Sequence, residues 1–317
     1  MLAIVEISAW HWVGFIVAIL FFLALDLGVF HRHAHVIKFK EALGWTAIWF
    51  TLSMLFAAGL AKWRGAEEAK YFVTGYILEL SLSMDNVFVI ALIFGYFRIP
   101  LAYQHRVLFW GILGALIMRG LMIWLGIELI NRFHWMIYVF GAFLLLTGIK
   151  MLFSKEEEVH PEKNPVIRLT QRFFPVSHSL EGQKFTTQIN GKVALTPLAL
   201  VLVMVETTDL IFAIDSIPAI LGVTQEPFIV FTSNVFAILG LRSLYFVLAN
   251  ALDYFRYLKI GLSLVLAFIG AKMLLHRTSF KISTDAALLI VAGVIIISVI
   301  ASLIARQFEH RRQANGE

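Results

Sequence analysis

Apolar runs of about 20 residues recur along this chain from Ala9 to Arg306, with few charges inside them. A helix rising about 1.5 Å per residue needs roughly 20 residues to cross about 30 Å of hydrocarbon, so such runs read as transmembrane helices. Nine spans are predicted, at 9–30, 42–61, 71–97, 107–130, 135–153, 195–221, 228–250, 258–275 and 286–306. Barrel strands would alternate apolar and polar residues over about ten positions, and these runs do not. Composition agrees: 60% of the 317 residues are hydrophobic and 15% charged, where a soluble domain carries about 25% charged residues. The predicted fold class is an all-α integral membrane protein.

The loop charges orient the spans. With the N-terminus outside, the cytoplasmic segments hold 16 of the 26 Lys and Arg residues and the external loops 6. Basic residues concentrate on the cytoplasmic side, so the N-terminus is predicted outside and the C-terminus inside. The net charge of +5 sits in these loops, which suits membrane lipid headgroups and gives no reason to expect a nucleic-acid partner. No basic region or cleavage site precedes Ala9, so the first run is read as a retained span. The absence of cysteine excludes disulfides and thiolate metal ligands.

The long loop 154–194 carries two local signals. Asn190-Gly191 between Phe185–Ile189 and Lys192–Leu195 predicts a hairpin. Pro165 to Phe174 reads as a short interfacial helix.

Spans three to five resemble spans six to eight. Asp85-Asn86-Val87-Phe88 matches Asp209-Leu210-Ile211-Phe212, Leu116 to Arg119 matches Leu239 to Arg242, and Gly148 to Leu152 matches Gly270 to Leu274. The offsets between Asp85 and Asp209, Arg119 and Arg242, and Lys150 and Lys272 are 124, 123 and 122. A unit of three spans is odd, so its second copy enters the membrane from the opposite side. Inverted repeats with a midplane site on interrupted helices are typical of secondary transporters. The single transmembrane domain then divides into repeat one (71–153), a loop (154–194) and repeat two (195–275), with three spans outside the repeat. Pro197 and Pro218 bracket the sixth span, and Pro218 is expected to break its hydrogen-bond ladder near the outer end.

Five acids lie on the third and sixth spans: Glu79, Asp85, Glu206, Asp209 and Asp215. Each costs roughly 2.5–3.5 kcal/mol at a span centre, unless it faces a partner, a cavity or a cation. Glu79 and Asp85 are six apart, as are Asp209 and Asp215, which is about 9 Å of rise and roughly 120° of rotation. One helix therefore cannot aim both at one ion. Because spans three and six run antiparallel, two layers are predicted: an outer one of Glu79 with Asp215, and an inner one of Asp85 with Asp209 and Glu206. Carboxylates beside amide and hydroxyl oxygens (Asn86, Asn234, Ser81, Ser83, Thr207, Thr208) suit hard divalent cations such as Mg²⁺, Ca²⁺ or Mn²⁺. Arg119 and Arg242 are the candidate internal counter-charges, but two arginines cannot neutralise five carboxylates. A proton relay is an alternative that can coexist with metal transport, the proton serving as counter-ion.

Other polar residues carry less. Asp26 reads as a capped acid near a span end, Lys150 and Lys272 as snorkelling lysines, and His31, His33 and His35 as a solvated tract with weak metal- or pH-sensing potential. No nucleophile–base constellation and no phosphate-binding glycine loop is present, so neither an enzyme nor an ATP-driven pump is indicated.

Three stretches bear a resemblance to a known family: Glu79 to Val89, Val205 to Ile220, and Thr232 to Arg242. They resemble the signatures of the TerC family, and within it the Alx-like branch, over roughly residues 10–306. The resemblance implies a multi-pass protein of the bacterial cytoplasmic membrane that exports Mn²⁺, in a family tied by name to tellurite resistance. It maps the family's functional acids onto Glu79, Asp85, Glu206, Asp209 and Asp215. No permanently bound cofactor is expected, and oligomerisation is left open. The alternatives are export of another cation such as Ca²⁺ with proton exchange, or a non-transport scaffold for membrane assembly or stress response.

Overall fold

The computed structural model describes residues 7–25, 39–153, 165–177, 180–189, 191–248, 257–275 and 282–314; the side chains of Leu25, Asp85 and 306–314 lie outside the described set. Asp26, His31, His33 and His35 fall outside it altogether.

Ten helices and one hairpin are described: α1 (Ala9–Leu25), α2 (Phe39–Trp63), α3 (Ala66–Tyr96), α4 (Leu101–Arg132), α5 (Met136–Phe153), α6 (Pro165–Phe173), β1 (Thr186–Ile189), β2 (Lys192–Leu195), α7 (Pro197–Leu221), α8 (Pro227–Leu248), α9 (Leu258–Leu274) and α10 (Thr284–Ala314). All but α6 coincide with the nine predicted spans. Seven helices are long and apolar enough to cross a bilayer; α1 and α9 have 17 described residues each. The chain is an all-α integral membrane protein. Large apolar side chains stand exposed along α1, α2, α5 and α10, including Leu289, Ile297, Leu146 and Leu55, the surface that lipid covers.

Prolines set several starts. Pro165, Pro197 and Pro227 open α6, α7 and α8, where a missing N–H costs nothing because no carbonyl precedes it in the ladder. Pro218 behaves otherwise than expected. The helix α7 continues through it to Leu221, and the Gly222 N–H still bonds the Pro218 carbonyl at 3.0 Å. A proline in the last turn removes one donor from a helix that is about to end, so the ladder frays without an interruption.

The hairpin forms as the Asn-Gly signal predicts. Strands β1 and β2 pair antiparallel with Ile189 opposite Lys192, and Gly191 takes φ +75°, a conformation that favours glycine. Thr196 ties the hairpin to α7. Its hydroxyl donates to the Lys184 carbonyl at 2.7 Å and accepts from the Ala199 N–H at the helix start. Thr196→Ala is expected to cost about 1 kcal/mol, read as a lower unfolding midpoint in detergent. In the same connector, α6 buries Ile167 and leaves Leu169 and Phe173 exposed.

The core is built around α8, which is buried on nearly every side. It packs on α2, α3 and α4, while α7 packs on α3, α4 and α5. Phe15, Phe56, Phe72, Phe228 and Phe236 join α1, α2, α3 and α8 in one aromatic cluster. A second body forms where α5 crosses α9, with α10 against α9 and α3. At that crossing a Cβ on Gly148 would meet the Ala267 nitrogen and the Ser263 carbonyl, and a Cβ on Gly270 would meet the Leu145 nitrogen and the Gly141 carbonyl. Gly148 and Gly270, Gly141 and Ser263, and Leu145 and Ala267 are each 122 residues apart.

Candidate functional site

Helices α3 and α7 run antiparallel. Gly75 lies against Ile220, and Asn86 reaches Asp209 eleven residues back along α7. This register puts Glu79 level with Ser216. Two further pairs are parallel: α3 with α8 through Glu79 and Asn234, and α4 with α7 through Gly114 and Glu206, then Arg119 and Asp209. Four helices therefore converge on one buried polar centre.

Arg119 of α4 is at its middle. The guanidinium is 1% exposed. Its Nε donates to Asp209 Oδ2 at 3.2 Å and its Nη2 to Asp209 Oδ1 at 2.8 Å, a two-pronged contact. Its Nη1 donates to Glu79 Oε1 and, at 3.4 Å, to Ser216 Oγ. Fork geometry of this kind suits arginine and not lysine.

Glu79 of α3 has two further ties. Ser83 Oγ, one turn along, donates to Oε1 at 3.2 Å, and Asn234 Nδ2 of α8 donates to Oε2 at 2.9 Å. Asn86 Nδ2 donates to Asp209 Oδ1 at 3.5 Å. Glu79, Ser83 and Asn86 follow i, i+4, i+7 spacing, so one face of α3 carries all three. The side-chain amide oxygens of Asn86 and Asn234 have no hydrogen-bond partner among the described residues, although both residues are buried. A buried acceptor left unmet costs about 1–3 kcal/mol, and orphans in a native site call for an explanation.

The remaining predicted residues sit around this centre. Glu206 is one turn before Asp209 on α7, close enough for the two charges to repel. It occupies the space that a Cβ on Gly114 of α4 would fill. Asp215 adjoins Ser216 but lies in the field of Lys150 on α5. The residue that meets Glu79's level from α7 is thus Ser216, seven after Asp209, while Asp215 is turned about 100° away. Arg242 of α8 is buried. The helix carrying Asp85 is described, and its carboxylate is outside the described side chains. Among the described residues, no three His, Asp or Glu side chains stand together as a metal-holding group.

Two participants were not singled out from sequence, Ser216 and Gly114. The seven-residue spacing of Asp209 and Ser216 carried a signal for the first. Nothing local marks Gly114, whose role depends on a helix from the other half of the chain.

Comparison with known proteins places this geometry. Residues 64–314 match the model of the integral membrane protein TerC family. An uncharacterized membrane protein, STKORF319, from Myxococcus xanthus is 52% identical over 293 residues, 92% of each chain. The putative membrane-bound redox modulator Alx of Salmonella typhi is 45% identical over 298 residues, 91% of this chain and 92% of that one. The protein of the same name from Escherichia coli K12 is 42% identical over 314 residues, 96% and 97% of the two chains. No solved structure matches. A family model that matches most of the chain, together with relatives named Alx at 45% and 42% identity, shows that this chain belongs to the TerC family, as an Alx-like member.

Proposed function

We propose that the chain is a secondary transporter that carries a hard divalent cation, Mn²⁺ in the first instance, out of the bacterial cytoplasm. The observation that carries this reading is the pair of amide oxygens, Asn86 Oδ1 and Asn234 Oδ1, unmet among the described residues, on side chains whose nitrogens donate to the part-buried Asp209 and the buried Glu79. Carboxylate and amide oxygens are the donor set of Mg²⁺, Ca²⁺ and Mn²⁺ sites. Glu79, Asp209, Asn86 and Asn234 are the proposed ligands, with Glu206, Asp85 and Asp215 as stations along the path. Arg119 and Arg242 supply internal counter-charge, and the N-terminus faces outward. The choice of Mn²⁺ over its relatives comes from the family resemblance alone.

The inverted repeat belongs to the same proposal. Its support is the reciprocal crossing of α5 and α9. Gly148 rests on Ser263 and Ala267 as Gly270 rests on Gly141 and Leu145, the exchange a two-fold axis imposes.

The relatives' name, redox modulator, raises a second reading. This chain has no cysteine, so thiol–disulfide exchange cannot run within it. An effect on redox state through exported metal is compatible with transport.

Uptake of several divalent ions into inverted vesicles tests the proposal. Wild type is expected to take up Mn²⁺, and Asp209→Asn to lose most of that flux at normal abundance. Equal flux in vesicles with and without the protein would sink it. Gly114→Ala gives a finer check. Its methyl group displaces the Glu206 carboxylate, so the flux is expected to fall although no charge changes.

A further inference from the structure

In the structure every oxygen of the two central carboxylates accepts at least one hydrogen bond. Glu79 Oε1 accepts from Arg119 and Ser83, and Oε2 from Asn234. Asp209 Oδ1 accepts from Arg119 and Asn86, and Oδ2 from Arg119. A dication bound to these oxygens at about 2 Å would stand close beside the guanidinium that already holds them. Two positive groups that close in a water-poor interior repel strongly.

We propose that Arg119 is a tethered stand-in for the cargo: it occupies the carboxylates in the empty state, and an entering divalent cation displaces it from one of them. This rests on the transport reading above. The unmet oxygens decide the direction of exchange. A guanidinium has donors only, yet among the described residues the Asn86 and Asn234 side-chain oxygens keep no partner while Arg119 is seated. A metal ion satisfies the carboxylates and the amide oxygens together. Arg119 satisfies the carboxylates alone. The displaced arm has an acceptor at hand, because Ser216 Oγ already lies 3.4 Å from Nη1.

The stand-in does two things for a transporter. It keeps two acids from lying uncompensated in the membrane when no cargo is present, and it weakens net metal affinity so that the ion can leave. Removing the positive charge should tighten binding and slow release. A purely structural arginine predicts the reverse, since losing it loosens the site.

The test uses the full chain in lipid nanodiscs, with free Mn²⁺ counted by its room-temperature paramagnetic resonance signal. Arg119→Gln is expected to bind Mn²⁺ roughly tenfold or more tightly than wild type, equivalent to about 1.4 kcal/mol, and to turn over more slowly in vesicles. Arg119→Lys retains a displaceable cation and is expected to bind within a few-fold of wild type. Unchanged or weaker binding by a folded Arg119→Gln overturns the inference while wild-type transport leaves the function intact. Should Arg119→Gln fail to fold, wild type labelled with ¹⁵N-arginine decides the matter by infrared difference spectroscopy. A Mn²⁺-induced guanidinium band shift, absent from Arg119→Lys, supports displacement; no shift overturns it. Wild type that neither binds nor moves a divalent cation overturns the transport reading and this inference with it.

Discussion

Glu79→Ala is expected to lower folding stability by about 3–5 kcal/mol, the cost of stranding one member of a buried ion pair. Glu79 and Arg119 are each 1% exposed. Alanine removes the acceptor for Arg119 Nη1, Ser83 Oγ and Asn234 Nδ2 at once. Arg119 would then keep Asp209 as its only carboxylate partner among the described residues. Glu79→Gln preserves shape and part of the bonding but not the charge, so it should fall between alanine and wild type. Pairing Glu79→Leu with Arg119→Met is expected to recover none of the loss, because it takes both prongs of the guanidinium away from Asp209. Unfolding in mixed micelles by detergent titration reads all three. A loss under about 1 kcal/mol for the alanine variant would mean that the pair behaves like a solvated one.

The second large effect is expected where α5 crosses α9. A methyl group at Gly148 would sit 2.6 Å from the Ala267 nitrogen, and one at Gly270 would sit 2.5 Å from the Leu145 nitrogen. Both obstacles are backbone, so neither rotates away and the helices must part. Alanine favours a helix over glycine by about 0.8–1.0 kcal/mol, yet each substitution is expected to cost about 1–3 kcal/mol net through overpacking. Close packing through small residues is how membrane helices associate, since lipid tails give apolar side chains no reason to cluster. The double variant is the sharper measurement. Once one methyl group has separated the helices, the second finds room, so the double variant should lose less than the sum of the two single losses. Full additivity would mean that the two contacts are independent.

Much of this fold was legible because span recognition needs only apolar length. The boundaries of α5, α7, α8 and α9 lie within two residues of the predicted ends where described. The hairpin was legible because Asn-Gly demands a particular turn. Arg119 was legible as a counter-charge because an arginine amid five acids has few other roles. Side-chain direction between helices was not. Spacing along α7 says that Asp209 and Asp215 diverge, but not that Ser216 takes the place facing Arg119 while Asp215 lies in the field of Lys150. Spacing along α3 likewise groups Glu79 with Asn86, seven away, before it groups it with Asp85, six away. The seat that Gly114 leaves for Glu206 joins positions 92 residues apart, and no local pattern carries such a fact.

The enclosure of α8 has a consequence for how the molecule is made. This helix carries Thr232, Ser233, Asn234, Arg242 and Ser243, all buried within the bundle. Released alone into lipid, these groups would face hydrocarbon. Its neighbours α2, α3 and α4 all precede it in the chain. They leave the ribosome first and can stand waiting in the bilayer with Glu79 ready to meet Asn234. The order in which the helices are written is therefore a workable order of insertion, with the most enclosed helix arriving after the walls that shelter it.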